Sequence, residues 1–351
     1  MKKTFFAIVA LCAFAVLFSS CSKKRTLHVY IWADYISNEV IHEFEKQYNC
    51  RVQQDTFDSN EMMFAKLQAG GAGYDVVCPS HYFIRKMIGS GMLTKLDKDK
   101  LPNLCHLDQD IVRKLDDGCI LDYSVPYFMS YTGLGYNKRL VKDFKPTWNI
   151  FLREDLKDRI TVLDDYTEVI GAAARMMGYS FEDLNDPALG DARMDEVVNL
   201  AQEWRKNILK FDNEQYKNGL ATGEFSIVMG YFSDLSQIVA ENEDLALAMP
   251  VEGCMMSCDM LCIPATANDP ELAYAFINFV HDPKNAARNI SDVCAYCPNT
   301  DALDFLDEEV LSDESIFIDE EIIEKSLLVP EFTGEQEERY LRNWQRIRTG
   351  K

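Results

Sequence analysis

The chain reads as an α/β protein built as two lobes, each a mainly parallel sheet flanked by helices. Three observations predict this. The length of 351 residues is roughly twice a common domain size of ~150 residues. Strand-like and helix-like patterns alternate three times before residue 90, the order that a parallel sheet with crossover helices requires. The alternation changes near 124–137, where extended segments could cross between lobes, and a second lobe starts around Lys138.

The elements follow in order. Lys2 and Lys3 precede an apolar run over 5–18 that ends in Ser19, Ser20 and Cys21. That run is too short to span a bilayer durably and reads as a secretory leader, 1–20, with a polar tether at 21–26. A cysteine directly after small residues resembles the lipobox of bacterial lipoproteins, which implies a lipid-anchored Cys21. Residues 27–31 read as a strand. In SNEVIHEFEKQYN, Val40, Ile41, Phe44 and Tyr48 share a helical face. A second strand covers 52–57. Asp58 and Glu61 form a capping-box start, and Gly70 with Gly71 ends that helix. YDVVC, 74–78, is an apolar strand stopped by Pro79.

SVPYFMSYTGLGYN, 124–137, reads as two extended segments crossing between lobes. The second lobe is expected to hold strands at 160–163 and 225–229 and helices at 168–177 and 194–207. Strands at 245–249 and 260–263 return toward the first lobe, followed by a helix in DPELAYAFINFVHDP bounded by Pro270 and Pro283. A basic helix near 339–348 closes the chain. The expected lobes are 27–135 with 250–300, and 136–249 with part of 301–351.

Composition excludes some partners. The net charge is −21, and loss of Lys2 and Lys3 with the leader makes it −23. Nucleic acid and anionic lipid headgroups are therefore poor ligands, whereas a cation is compatible. Cys254, Cys258 and Cys262 are four apart in a strand-like run, a spacing that puts three small buried side chains on one face. Cys294 and Cys297 form a C-x-x-C without a second pair or zinc-spaced histidines, compatible with a disulfide. No metal or cofactor is expected.

In open α/β sheets, ligands bind beyond the carboxyl ends of the strands. Strand 27–31 is followed by Trp32, Asp34 and Tyr35, and strand 74–78 by Ser80 and Tyr82. Strand 160–163 leads to Asp165 and Glu168, strand 225–229 to Tyr231, and Asp259 lies in a further strand. Rings and carboxylates recur where a site belongs. An ammonium offers donors only and needs carboxylates, while its methylene chain prefers ring faces. Taken singly, each residue has a plainer role: the rings as core, Asp34 as a helix cap, and Asp165 with Glu168 as a capping box. The recurrence at four strand ends favours an organic cation.

YIWADYI, DSNEMMFAKLQAGGAGYDVVCPSHYFIRKM, VLDDYTEVIGAAARMMGYS, EGCMMSCDMLCIPA and LAYAFINFVHDP resemble the spermidine/putrescine-binding proteins of bacterial polyamine ABC transporters, the PotD type. The resemblance covers nearly the whole chain after the leader. It implies a two-lobed periplasmic-binding fold of type II that closes by hinge motion over putrescine or spermidine. It also implies delivery to an ABC permease without chemical change, a periplasmic location and a monomer. Carried over by position, the ligand residues are Trp32, Asp34, Tyr35, Ser80, Tyr82, Asp165, Glu168 and Asp259. Tyr231 stands where the family has a tryptophan, Ser257 replaces another, and Tyr296 is the candidate last aromatic. No counterpart of the family's far glutamine is found around Phe332.

An enzyme is the opposing class. Five histidines, no nucleophile elbow and no phosphate-cradling glycine loop leave it little material. An amino-acid binder needs an arginine aimed at the α-carboxylate, and Arg85 and Arg175 fall on helices away from the strand ends. A binder of another organic cation, or a sensory lobe reporting the same ligand, uses the same residues.

Overall fold

The structure, a computed structural model, describes residues 24–70, 73–115 and 118–350; the leader and Cys21 lie outside them. Ten strands order two sheets: β1 (Arg25–Trp32), β2 (Cys50–Phe57), β3 (Val76–Val77), β4 (Ser124–Asn137), β5 (Ile160–Val162), β6 (Ile208–Phe211), β7 (Ile227–Tyr231), β8 (Leu245–Ala248), β9 (Met255–Cys262) and β10 (Leu327–Leu328). The strand order is β2-β1-β3-β9-β4-β7-β5-β6, with β8 against β4 and β10 against β9. Strands β6 and β10 are additional to the sequence expectation.

The parallel cores are β2-β1-β3 and β6-β5-β7. Antiparallel pairing enters through β4 and β9, which cross between the halves. Where two extended segments were expected, one continuous strand of fourteen residues runs. Its first part, Ser124 to Tyr131, pairs with β9, and Thr132 to Asn137 pairs with β7 and β8. Gly133 makes this crossing dense, because a Cβ there would lie 2.4 Å from the Phe232 ring.

The apolar cores divide the same way. One gathers Leu134, Trp148, Trp204, Tyr216 and Phe225 with Met255, Tyr340 and Trp344. Two adjoining clusters gather Leu27 to Phe128 with Leu261 to Ile316, and Tyr30 to Met129 with Cys258 to Cys262. Helix Pro270–Val280 supplies Phe276, Ile277 and Val280 to the first of these two. Helix Gly334–Thr349 returns Tyr340, Trp344 and Ile347 to the opposite lobe.

Local signals shift by a few residues. The helix after β2 is Asn60–Gln68, and Ser59 rather than Asp58 caps it, accepting from Met62 N–H at 3.2 Å. A serine hydroxyl in extended backbone reaches the orphan N–H groups as well as Asp does. The helix after β5 is Tyr166–Met176, two residues earlier than expected, because Asp165 is its N-cap. The next long helix is Gly190–Arg205. Cys254, Cys258 and Cys262 are all buried. All nine cysteines among the described residues are free, so no disulfide joins Cys294 to Cys297; Cys294 instead ends helix Pro283–Val293 in left-handed backbone. No helix of the described residues is long and apolar enough to cross a membrane.

Candidate ligand-binding cleft

A cavity of about 300 Å³ lies between the two sheets, at the lower end of the range for small-molecule sites. Eight residues singled out from the sequence line it: Trp32, Tyr35, Ser80, Tyr82, Asp165, Glu168, Tyr231 and Asp259. They arrive from the ends of β1, β3, β5 and β7 and from β9, so both lobes contribute a wall.

Asp259 is 4% exposed. Tyr35 Oη donates to its Oδ2 at 2.6 Å and Ser80 Oγ to its Oδ1 at 2.7 Å. Asn60 holds this arrangement, accepting from Ser80 N–H at 3.0 Å and donating to Ser80 Oγ and Tyr82 Oη, each at 3.1 Å. Burial pushes the Asp259 carboxyl up to about 6, against the lowering effect of Ser80, Tyr35 and Trp32. The Trp32 indole is close enough to Asp259 to contribute to that lowering, although its buried Nε1 reaches no partner at hydrogen-bonding distance and angle among the described residues.

The opposite wall carries Asp165 and Glu168. Asp165 spends Oδ1 on the helix start, accepting from Thr167 N–H at 2.7 Å, Thr167 Oγ1 at 2.6 Å and Glu168 N–H at 3.4 Å. Glu168 Oε2 accepts from Thr132 on the crossing strand. The second oxygen of each carboxyl has no protein hydrogen bond among the described residues. Burial, with Asp165 beside it, raises Glu168 to about 8; Asp165 is itself raised, chiefly by burial. No cation of the described residues pairs with Asp165, Glu168 or Asp259. Buried carboxylates without a counter-ion are costly, and a cationic guest relieves that cost.

Rings complete the walls. Trp32 packs on Phe57 with centroids 4.3 Å apart, and Tyr35 meets Phe128 edge-on at 5.2 Å. Tyr82 and Tyr231 face the cavity from opposite lobes.

Two expected residues lie elsewhere. Asp34 sits in left-handed backbone with φ 54°, which turns its carboxylate to the exposed rim, 3.8 Å from Lys217 Nζ. Tyr296 packs its ring on Phe317 at 5.7 Å, and its carbonyl accepts from Met129 N–H at 2.8 Å; it does not line the cavity. Phe57, Asn60, Asn213, Lys217 and Asp234 line the cavity and were not read from the sequence. Asn60 and Phe57 flank the second strand end, where the same rule applied would have found them; the helical position of Lys217 gave no such signal. Arg175 donates to the Glu252 carbonyl at 3.1 Å, away from the cavity.

The lobes also touch outside the cavity. Arg85 pairs with Glu331 at 2.6 Å and Lys86 with Glu337 at 3.0 Å, while Ser236 and Ser315 hydroxyls meet at 2.7 Å.

Fold and cleft together define an extracytoplasmic solute receptor of the two-lobed kind, and the chain belongs to the bacterial extracellular solute-binding protein family, whose model matches residues 39–317. The putrescine-binding periplasmic protein SpuD of Pseudomonas aeruginosa is 32% identical over 355 aligned positions, covering 95% of this chain and 94% of SpuD. A solved spermidine/putrescine ABC transporter protein from Listeria monocytogenes superposes with TM-score 0.82 at 31% identity, over 93% of this chain and all of that one. The PotD lipoprotein of Treponema pallidum superposes with TM-score 0.80 at 30% identity, over 92% of this chain and 99% of that one.

Proposed function

We propose that this protein captures a polyamine, putrescine or spermidine, between its lobes and hands it unchanged to an ABC permease. One observation carries the reading: Asp259 and Glu168, buried on facing walls of a ring-lined cavity, have no cationic partner among the described residues. An alkyl chain with an ammonium at each end satisfies both carboxylates and lays its methylenes on the rings of Trp32, Tyr35, Tyr82 and Tyr231. The names of SpuD and the two solved proteins agree with this ligand class. The lobes in this reading are 27–135 with 250–300, and 136–249 with part of 301–351; most of the buried side chains of the separate apolar cores follow that division, while Cys254 and Met255 pack with the second core and Ala302 and Ile316 with the first.

Thermal-shift and calorimetric titration with putrescine, cadaverine, spermidine, spermine, lysine and arginine tests the reading, since a ligand of the folded state raises the melting temperature. Polyamines are expected to bind and amino acids not; stabilisation by lysine or arginine alone would refute it. Recovery of intact amine after binding separates capture from catalysis. The same reading puts the protein in the periplasm, held to the membrane through a lipidated Cys21; the Treponema relative is itself a lipoprotein. Cys21→Ser is expected to abolish metabolic labelling with palmitate and release the protein from membranes.

A further inference from the structure

Lys217 is the one basic side chain among the described residues that line the cavity. It lies on the short helix Tyr216–Thr222 and reaches across the cleft. Its Nζ is 3.4 Å from Asp234 Oδ1 on its own lobe and 3.8 Å from Asp34 Oδ2 on the other. Tyr216 fixes Asp234 by donating its phenol at 2.6 Å. Lys217 is 22% exposed and Asp234 equally so, whereas Asp34 is 71% exposed. A primary ammonium on a four-carbon stem thus already occupies this part of the cleft, chemically the same group as one end of a polyamine.

The cavity and its rim accordingly present two kinds of acid. Among the described residues, Asp259 and the Asp165–Glu168 pair accept hydrogen bonds from neutral hydroxyls and backbone N–H groups and from no cation. Asp34 and Asp234 share a lysine. Asp58 and Glu214 also border this region, within hydrogen-bond reach of one another, but Glu214 is exposed, so water screens that rim pair. We infer that Lys217 is a specificity residue, a tethered ammonium that fills the third cationic station and restricts the cleft to ligands with two charged ends. A triamine must bring its extra ammonium to a place that a fixed ammonium holds, at the cost of like-charge repulsion.

This inference rests on the polyamine reading and is tested on the intact chain by calorimetry with putrescine and spermidine, using wild type, Lys217→Met and Lys217→Arg, with each melting curve recorded to confirm folding. Wild type is expected to prefer putrescine by tenfold or more. Lys217→Met should shift the spermidine-to-putrescine affinity ratio at least tenfold toward spermidine, and Lys217→Arg should keep the wild-type ratio. Loss of the interlobe ion pair alone lowers both affinities together, so an unchanged ratio in Lys217→Met overturns the inference. Equal wild-type affinity for the two amines overturns it too while leaving the polyamine reading intact. Binding of neither amine by wild type removes the polyamine reading and this inference with it.

Discussion

Tyr35 donates its phenolic hydrogen to Asp259 at 2.6 Å, and the two residues stand 224 positions apart in sequence. The bond ties the loop after β1 to β9 and holds one carboxylate oxygen so that the charge stays fixed toward the cavity. Hydrogen bonds to a charged group contribute about 1.5–3 kcal/mol. Asp259→Asn is therefore expected to weaken polyamine binding at least about tenfold, since it removes the charge that a desolvated ammonium meets. Tyr35→Phe should cost less, about three- to tenfold, because Ser80 still holds the other oxygen. Calorimetry on both variants checks the order; a larger loss in Tyr35→Phe than in Asp259→Asn would contradict it.

The pairs Arg85–Glu331 and Lys86–Glu337 bridge the lobes at the surface, with side chains 27–44% exposed. Exposed pairs contribute only about 0.2–1 kcal/mol, and separation of the lobes would break them. Glu337→Gln should raise the ligand dissociation rate about two- to fivefold and leave association nearly unchanged. Stopped-flow measurement at low and high salt checks it, because screening in wild type should mimic the variant.

Much of this architecture was legible because two physical rules act locally. Alternating patterns in 27–78 disclose β1 to β3, and the crevice rule then points to Trp32, Ser80 and Tyr82. Other features depend on the assembled fold. The backbone of Asp34 turns left-handed, so sequence adjacency to Trp32 did not carry its carboxylate inward. Tyr296 has the composition of a site aromatic but belongs to the packing around Phe317 and Met129. Lys217 reaches the cleft from a helix, where no strand-end rule applies. β4 reads as two segments because Gly133 and Gly135 interrupt its apolar pattern, yet those glycines are what let the helices beginning at Phe232 and ending near Leu220 press against one strand.

Gly133 gives a prediction on stability. A Cβ at this position would sit 2.4 Å from Phe232 Cδ2 and 3.3 Å from the Ala248 carbonyl oxygen. Overpacking of this kind costs about 1–3 kcal/mol, so Gly133→Ala should lower the melting temperature by several degrees. Gly89, with nothing within 4 Å of its added Cβ, is the control, and Gly89→Ala should melt at or above the wild-type temperature. Equal melting of the two variants would mean that the crossing strand yields freely.

The raised carboxyls make both folding and binding depend on pH, with opposite signs. Glu168 has an ordinary value of 4.5 and stands at about 8 in the fold; Asp259 rises from 3.8 to about 6. A carboxyl raised on folding keeps its proton longer in the folded state, so the empty protein loses stability as pH climbs from the ordinary carboxylate range to the raised value. Binding runs the other way, because an ammonium pairs with the ionised form. Affinity for putrescine should therefore increase from pH 5 to about 8.5, first as Asp259 ionises and then as Glu168 does, with proton release on binding near neutrality. Titration in buffers of different ionisation enthalpy measures that release. Glu168→Gln should weaken binding at least about tenfold above pH 8, abolish most of the proton release at pH 7 and flatten the loss of apo stability between pH 6 and 8. Unaltered proton release in this variant would assign the titrating group elsewhere.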